Sequence, residues 1–279
     1  MGAILVTGAS GFIGRALAEA LSKNHAVVCL SRTNPKLGLP FVKGDFQSYE
    51  ALQALNKHEI DAVCHLAAVT GGCSERDGIL VNVEGTRLLM RYLMDRGCRK
   101  FVMASSIAAV GMQSLKFRPL KAPIPDEHPC LDRDGYGLSK YLMEEVTRYY
   151  QRQNEDIDVV NLRLASIYPD GQPRPLRAAG PKTGMWAEGG ITQMSLSDAV
   201  RAFTLAAEAP RKPGVRVMNA AAPKAWVKDP MAKVLRAWYG DGFDVSHYEQ
   251  PGHEFDSVYD VGRIEDELGF VARVLPPAP

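Results

Sequence analysis

Three polar side chains stand where they could move a proton. Tyr136 and Lys140 lie four residues apart in "YGLSK", so a helix there sets both on one face. A phenol with a pKa of about 10 is a poor base at neutral pH. An ammonium beside it favours the phenolate and draws that pKa toward working pH, where general acid-base catalysis is efficient. About 30 residues earlier the apolar run "KFVMASS" leads into "SSIAAVG". This predicts Ser106 at the carboxyl end of a strand, with its hydroxyl able to hold a substrate oxygen next to Tyr136. Ser105 is equally suited to bonding backbone at the strand end.

A second set of residues suits phosphate. "VTGASGFIGRAL" (6–17) places Gly8, Gly11 and Gly14 between an apolar run and a helical pattern. Gly8 permits a tight turn, Gly11 leaves room for close backbone approach, and Gly14 lets helix and strand pack closely. The N–H groups of Phe12 and Ile13 at the helix start then face a pyrophosphate. Tight packing would also explain three small residues, so both uses stay open. The position between a first strand and an amphipathic helix favours a dinucleotide. A site for NAD carries a carboxylate at the end of the second strand, for the ribose hydroxyls. Ser31 and Arg32 stand there instead and suit a 2′-phosphate, so NADP is expected ahead of NAD.

These residues need a frame to hold them. "AILVTG" reads as a strand and Phe12–Lys23 as a helix, with Ile13, Leu17 and Leu21 at four-residue steps. Further strands are expected at "AVVCLS" (26–31), "PFVKGD" (40–45), "DAVCHLAA" (61–68), "KFVMASS" (100–106) and "DVVNLRL" (158–164). Helices are expected over Tyr49–Asn56, about 76–96, and Tyr136 to about Asn154. The strands do not alternate, which suits parallel strands covered on both faces. Their alternation with helices implies an α/β fold, a doubly wound parallel sheet with right-handed crossovers. Ligands of such sheets bind beyond the carboxyl ends of the strands.

After Ser166 the texture changes. "YPDGQPRPLRAAGPKTG" (168–184) is expected to form a loop or lid over the site. A helix is expected to begin at Ser197 within 195–210, with Asp198 in its first turn. A strand at "VRVMNA" (215–220), a helix near 230–238 and "RIEDELGF" (263–270) follow. The chain thus divides into a dinucleotide-binding core, 1–165, and a substrate lid with a small lobe, 166–279, of which 195–220 returns to the core.

Bulk properties exclude several classes. With 33 basic and 32 acidic residues among 279, the net charge of +1 builds no field for nucleic acid or an anionic membrane. A small-molecule substrate is the expected partner. No apolar run approaches the roughly 18 residues that span a bilayer. Since the first strand starts almost at once, no signal peptide is expected, and Val6 does not fit a myristoylation motif. Cys29, Cys64, Cys73, Cys98 and Cys130 are odd in number and lack metal-ligand spacing, so reduced thiols, no metal and a cytoplasmic setting are expected.

The ordered set "TGASGFIG", "GDF" (44–46), "HLAA" (65–68), "VNVEGT", "SSIAAVG", "YGLSK" and "LRLASIYP" (162–169) resembles the extended short-chain dehydrogenase/reductase family. That family includes the nucleotide-sugar epimerases and dehydratases. The likeness covers about residues 3–170 and continues more faintly through "MSLSDAV", "NAAAP" and "YDVGRIEDELGF". It implies a Rossmann-type sheet and a catalytic trio of Ser106, Tyr136 and Lys140, with Lys140 also on the nicotinamide ribose. It implies further that Asp45 and Phe46 contact the adenine and that Leu66, Ala67 and Ala68 line the cofactor. Asn82 would support the site from its helix, and His65 would be a structural strand-end residue.

Departures from the family pattern bear on the substrate. Nucleotide-sugar members follow the "LR" strand with an aromatic and an Asn, where this chain has Ala165 and Ser166. The compact lid and "RLASIYPDG" are nearest in layout to uronate dehydrogenase, which oxidises free sugar acids. By that resemblance Ser166 and either Arg174 or Arg177 would hold a substrate carboxylate. Three functions follow: an NADP-linked oxidoreductase of a small carbohydrate, a nucleotide-sugar epimerase or dehydratase with tightly held NAD, and a non-catalytic NADP-sensing protein. A homodimer is expected through Leu88, Leu89, Tyr92 and Leu93 of one helix and Tyr141, Leu142, Val146, Tyr149 and Tyr150 of another.

Overall fold

β1 (Ala3–Thr7) is apolar and almost wholly buried because a strand pairs with it on each side and a helical layer covers each face. α1 (Phe12–Leu21) follows, then β2 (Val27–Ser31), β3 (Phe41–Lys43), α2 (Tyr49–Gln53) and β4 (Ile60–His65). The computed structural model describes residues 2–277. A long helical segment begins as α3 (Glu75–Asp77) and ends as α4 (Thr86–Asp95). β5 (Lys100–Ser106), α5 (Gly135–Gln153) and β6 (Asp158–Leu164) complete the first part. The second part holds β7 (Ser166–Tyr168), α6 (Ala187–Ile191), β8 (Gln193–Ser195), α7 (Leu196–Glu208), β9 (Gly214–Ala220), α8 (Met231–Tyr239) and α9 (Gly262–Leu268).

Seven strands form one parallel sheet in the order β3-β2-β1-β4-β5-β6-β9. One face packs on α1, α7 and α9, the other on α2, α4 and α5. A third apolar cluster, around Trp226's neighbours Ala225 and Val227 and α8, belongs to the C-terminal lobe and also takes in Tyr136. The strand order reverses between β1 and β4, so the crevice expected for a ligand opens between their carboxyl ends. α7 packs against α1, and β9 extends the sheet beside β6, so 195–220 lies within the sheet layers.

Several boundaries differ from the sequence reading. The fourth strand stops at His65 because the N–H groups of Leu66 and Ala67 turn to the Thr7 hydroxyl, each at 3.2 Å. Between α3 and α4 the helix winds wider, as a π-helix, over Gly78–Gly85. Its two terminal glycines press on neighbours: a Cβ on Gly78 would come 2.7 Å from the Gly135 carbonyl, and one on Gly85 2.5 Å from the Phe46 ring. The path there follows α5 and Phe46 more than regular helical spacing. α7 begins one residue before the predicted start, capped by Ser195, whose Oγ accepts from Asp198 N at 3.1 Å. The short parallel pair β7–β8 and α6 have no signal in the periodicity.

On the faces expected to pair two copies, Leu89, Leu93 and Tyr150 are buried in this chain's own core. Tyr149 is exposed, and Leu88, Tyr92, Tyr141, Leu142 and Val146 are half-buried.

Candidate active site

A cavity of about 690 Å³ runs along the carboxyl ends of β2, β1, β4, β5 and β6. At one end it is lined by Gly8, Gly11, Phe12, Ile13 and Gly14 of the first turn, and by Ser31 and Arg32 after β2. Asp45 and Phe46, which follow β3, and Leu66, Ala67 and Ala68, which follow β4, line it too. At the other end stand Ser106, Tyr136 and Lys140, with Ser166 and Arg174 beyond them. Asp45 is the one carboxylate among the described lining residues, whereas Arg32, Lys140 and Arg174 are cations. The cavity is built for anions at both ends.

The three glycines have different reasons. Gly8 has φ +67°, and a Cβ there would sit 2.8 Å from Ala67 N. A Cβ on Gly14 would collide with the Gly8 carbonyl. Packing therefore accounts for both. At Gly11 a Cβ would meet only the Gly8 carbonyl, at 3.1 Å, and would otherwise stand free at the cavity. α1 has no side-chain cap and no acidic residue in its first turn, so its leading N–H groups stay available to an anion. This cradle fits the pyrophosphate of a dinucleotide.

His65 fixes the floor of this end. Its Nδ1 lies 2.7 Å from the Thr7 hydroxyl and its Nε2 3.0 Å from that of Thr86. Since Thr7 Oγ1 already accepts two N–H groups, its proton goes to Nδ1, leaving His65 protonated on Nε2. Burial, with the Lys140 charge adding to it, pushes the imidazole down to about 3. His65 is a neutral brace between β1, β4 and α4.

At the reacting end, Asp134 caps α5 by accepting from the N–H groups of Tyr136 and Gly137, at 2.9 and 3.1 Å. The helix then presents Tyr136 and Lys140 on one face, beside Ser106 at the end of β5. Ser106 Oγ accepts from Ala108 N at 3.1 Å. Lys140 Nζ donates to the Ala104 carbonyl at 2.7 Å and lies 5.8 Å from the Tyr136 ring centroid. Burial holds the phenol up at about 12, with the Ser106 hydroxyl pulling the other way. Burial also draws the Lys140 ammonium down to about 8, opposed by Glu144. The expected lowering of the phenol by Lys140 is thus absent here, because that ammonium is held on a carbonyl and burial dominates.

Three further residues of the sequence reading are placed off the cavity or on other partners. Asn82 does not line the cavity: its buried amide bonds Val69 N and O and Ser139 Oγ, at 2.9–3.0 Å, and so ties the loop after β4 to α5. Arg177 points toward the lobe, with its guanidinium on Thr183 Oγ1 at 2.8 Å and 5.2 Å from the Trp238 ring centroid. Ser105 donates to the Glu144 carboxylate at 2.6 Å rather than to backbone, and Glu144 is held bidentately by Arg163.

The sequence reading also missed part of the lining. Val69, Thr70 and Gly71 stand at the substrate end together with Trp186. "TGG" (70–72) carried a small-residue signal, while "GMWAEGG" (184–190) carried none, since its place depends on long-range packing. Elsewhere the fold brings His247, His253 and Asp256 together, with both imidazoles on Asp256 Oδ2 at 2.9 and 2.7 Å. Lys224 bonds the other oxygen at 2.6 Å, and the group ties the 246–256 loop to the lobe.

Comparison with known proteins places this geometry among relatives. The model of the NAD dependent epimerase/dehydratase family matches residues 4–182. A putative UDP-glucose 4-epimerase of Methanocaldococcus jannaschii is 29% identical over 182 residues, covering 61% of this chain and 57% of that protein. The chain therefore spans little more than half the length of such curated relatives. A short-chain dehydrogenase/reductase superfamily protein from Agrobacterium tumefaciens, solved with bound NAD, superposes with a TM-score of 0.71 at 26% identity. That match covers 98% of this chain and 93% of the other. A mutated uronate dehydrogenase shares the fold, with a TM-score of 0.69 at 24% identity, covering 97% of this chain and 81% of that one.

Proposed function

The chain belongs to the NAD-dependent epimerase/dehydratase family, and from that premise we propose that it is a nicotinamide-dependent oxidoreductase of a small carbohydrate, a free sugar acid foremost. The observation that carries this is a single cavity. It is lined by the glycine turn and Arg32, by the Ser106–Tyr136–Lys140 group, and by Arg174 and Ser166. The solved relative with bound NAD supports a nicotinamide dinucleotide in the Gly8 half.

When bound, the nicotinamide would supply or accept the hydride at the reacting carbon. This chain's own residues handle the proton. Ser106 orients the substrate oxygen, and the Tyr136 phenol, protonated at neutral pH, is ready to give its proton to a carbonyl oxygen. In the reverse direction Tyr136 must first give its own proton to solvent, and the phenolate then takes the hydroxyl proton, with the Lys140 ammonium 5.8 Å from the ring centroid to favour that charge. Arg174 and Ser166 take the substrate carboxylate, for which a guanidinium fork is suited.

For the cofactor we favour NADP. Arg32 is exposed on the cavity wall and Ser31 precedes it, with no carboxylate in the place where the ribose hydroxyls of NAD would be bound. Replacing Arg32 by Ala is expected to weaken NADPH binding about 10-fold or more and leave NADH binding unchanged, measured by nicotinamide fluorescence titration. Equal loss for both would reverse the preference.

The epimerase reading rests on the UDP-glucose 4-epimerase likeness. A panel following nicotinamide absorbance separates the two. Net reduction of NADP by glucuronate or galacturonate supports the oxidoreductase, and isomerisation of UDP-glucose without absorbance change overturns it. The half-buried faces of α4 and α5 support a homodimer, which sedimentation velocity checks.

A further inference from the structure

An indole, that of Trp186, stands in the wall of the cavity. A Cβ added to Gly71, in the loop after β4, would come 2.7 Å from Trp186 Cζ2. One added to Gly189, in α6, would come 2.9 Å from Trp186 Cε3. The ring thus lies between two glycines from distant parts of the chain, and any side chain at either would displace it.

The short segment that carries the indole is clamped. Lys182 and Glu188 bracket Trp186 and pair at 2.5 Å, with both side chains buried. Lys182 Nζ also donates to the Phe117 carbonyl at 2.8 Å, and Glu188 accepts from the Tyr239 hydroxyl at 2.5 Å. Moving the segment that carries the ring would open a buried ion pair and leave charges unpaired, so its backbone is held in place, while Gly71 and Gly189 flank the ring itself.

We propose that Trp186 determines substrate size: the clamped indole restricts the site to a single sugar ring and keeps out a sugar carried on a nucleoside diphosphate. The proposal rests on the carbohydrate reading above. One cavity of about 690 Å³ must hold both the dinucleotide and the reacting molecule, and the wall stands beside Ser166 and Arg174, where the substrate's far side must lie. Arg174 then meets a carboxylate on the ring itself.

The test is binding, in saturating NADPH, of UDP-glucose and of glucuronate to wild type, Trp186→Ala and Trp186→Phe, followed by calorimetry. NADPH binding by each variant reports that the Gly8 half is intact. Trp186→Ala is expected to gain at least about 10-fold in UDP-glucose affinity relative to glucuronate, and Trp186→Phe a smaller gain. Wild type binding UDP-glucose as tightly as glucuronate overturns the proposal even if the Ala variant fails to fold. So does an unchanged ratio in a variant that still binds NADPH. Glucuronate turnover by wild type is scored separately: its absence together with the affinity gain would sink the oxidoreductase reading and leave the wall standing.

Discussion

The glycine turn after β1 and the indole of Trp186 line the same cavity, yet they are made in different ways. The Gly8 end is assembled from residues that directly follow β1, β2, β3 and β4, so each is fixed by the strand before it. The Trp186 end is assembled from the loop after β4, the segment 168–186 and α6, held by contacts such as Lys182 to Phe117. A site built at strand ends is set by the sheet; a site built from loops is set by whichever loops the chain carries. This explains how one frame can keep its cofactor half while its substrate half varies.

The sharpest way to break that division is at its middle. Tyr136→Phe keeps the ring and its burial and removes only the hydroxyl. Turnover is expected to fall by roughly 10³-fold or more, with dinucleotide affinity changed less than about 2-fold. Steady-state kinetics beside a binding titration check this, and retained turnover would remove Tyr136 from the chemistry.

Within the Gly8 half, the glycines should separate. Gly14→Ala forces a Cβ into the Gly8 carbonyl, so loss of stability of about 2–4 kcal/mol is expected in urea unfolding. Gly11→Ala should leave stability within about 1 kcal/mol and cost cofactor affinity by roughly 10-fold, because its Cβ enters space the protein leaves open. Equal stability losses would mean that all three serve packing alone.

At the other end the two arginines should separate as well. Arg174→Ala is expected to raise the KM for a sugar acid by about 10-fold or more, with a neutral sugar less affected. Arg177→Ala, whose guanidinium serves Thr183 and Trp238, should leave KM unchanged. The reverse order would place the carboxylate on the lobe side.

These contrasts mirror what could be read from the residues. Gly8, Ser31, Ser106 and Tyr136 could be placed on the cavity because apolar strands and amphipathic helices mark where strand and helix meet, whereas Asp45 and Ala67 were placed there by the family resemblance. Arg174 and Arg177 stayed alternatives because a Pro-rich stretch has no period to orient its side chains; Arg174 is the one that lines the cavity. Asn82 stands in the helical segment from which the resemblance had it support the site, with its amide on Val69 and Ser139 rather than on the cavity. Trp186 was missed because its place in the wall depends on packing against Gly71, a residue far from it in sequence.

The smallest expected effect lies on the seam between the halves. Asp132 sits just before α5, and its Oδ2 and that of the capping Asp134 are both buried without a partner of their own. A Cβ on Gly137 would run into Asp132, so the glycine makes room for the pair. Burial, then the Asp134 carboxylate, raises Asp132 to about 7 from an ordinary 3.8. The folded protein therefore binds more protons than the unfolded chain between about pH 4 and 7. Stability from this group is full below that window and is lost as pH rises through it. Asp126, raised to about 6 by burial, acts in the same direction, so a difference measurement is needed. Asp132→Asn keeps a donor toward Asp134 at every pH. Its Tm should match wild type near pH 5 and exceed it by a few degrees near pH 8, the gap being modest because Asp132 is only half-buried. A gap independent of pH would show that the two carboxyls share no proton and that α5 is capped by Asp134 alone.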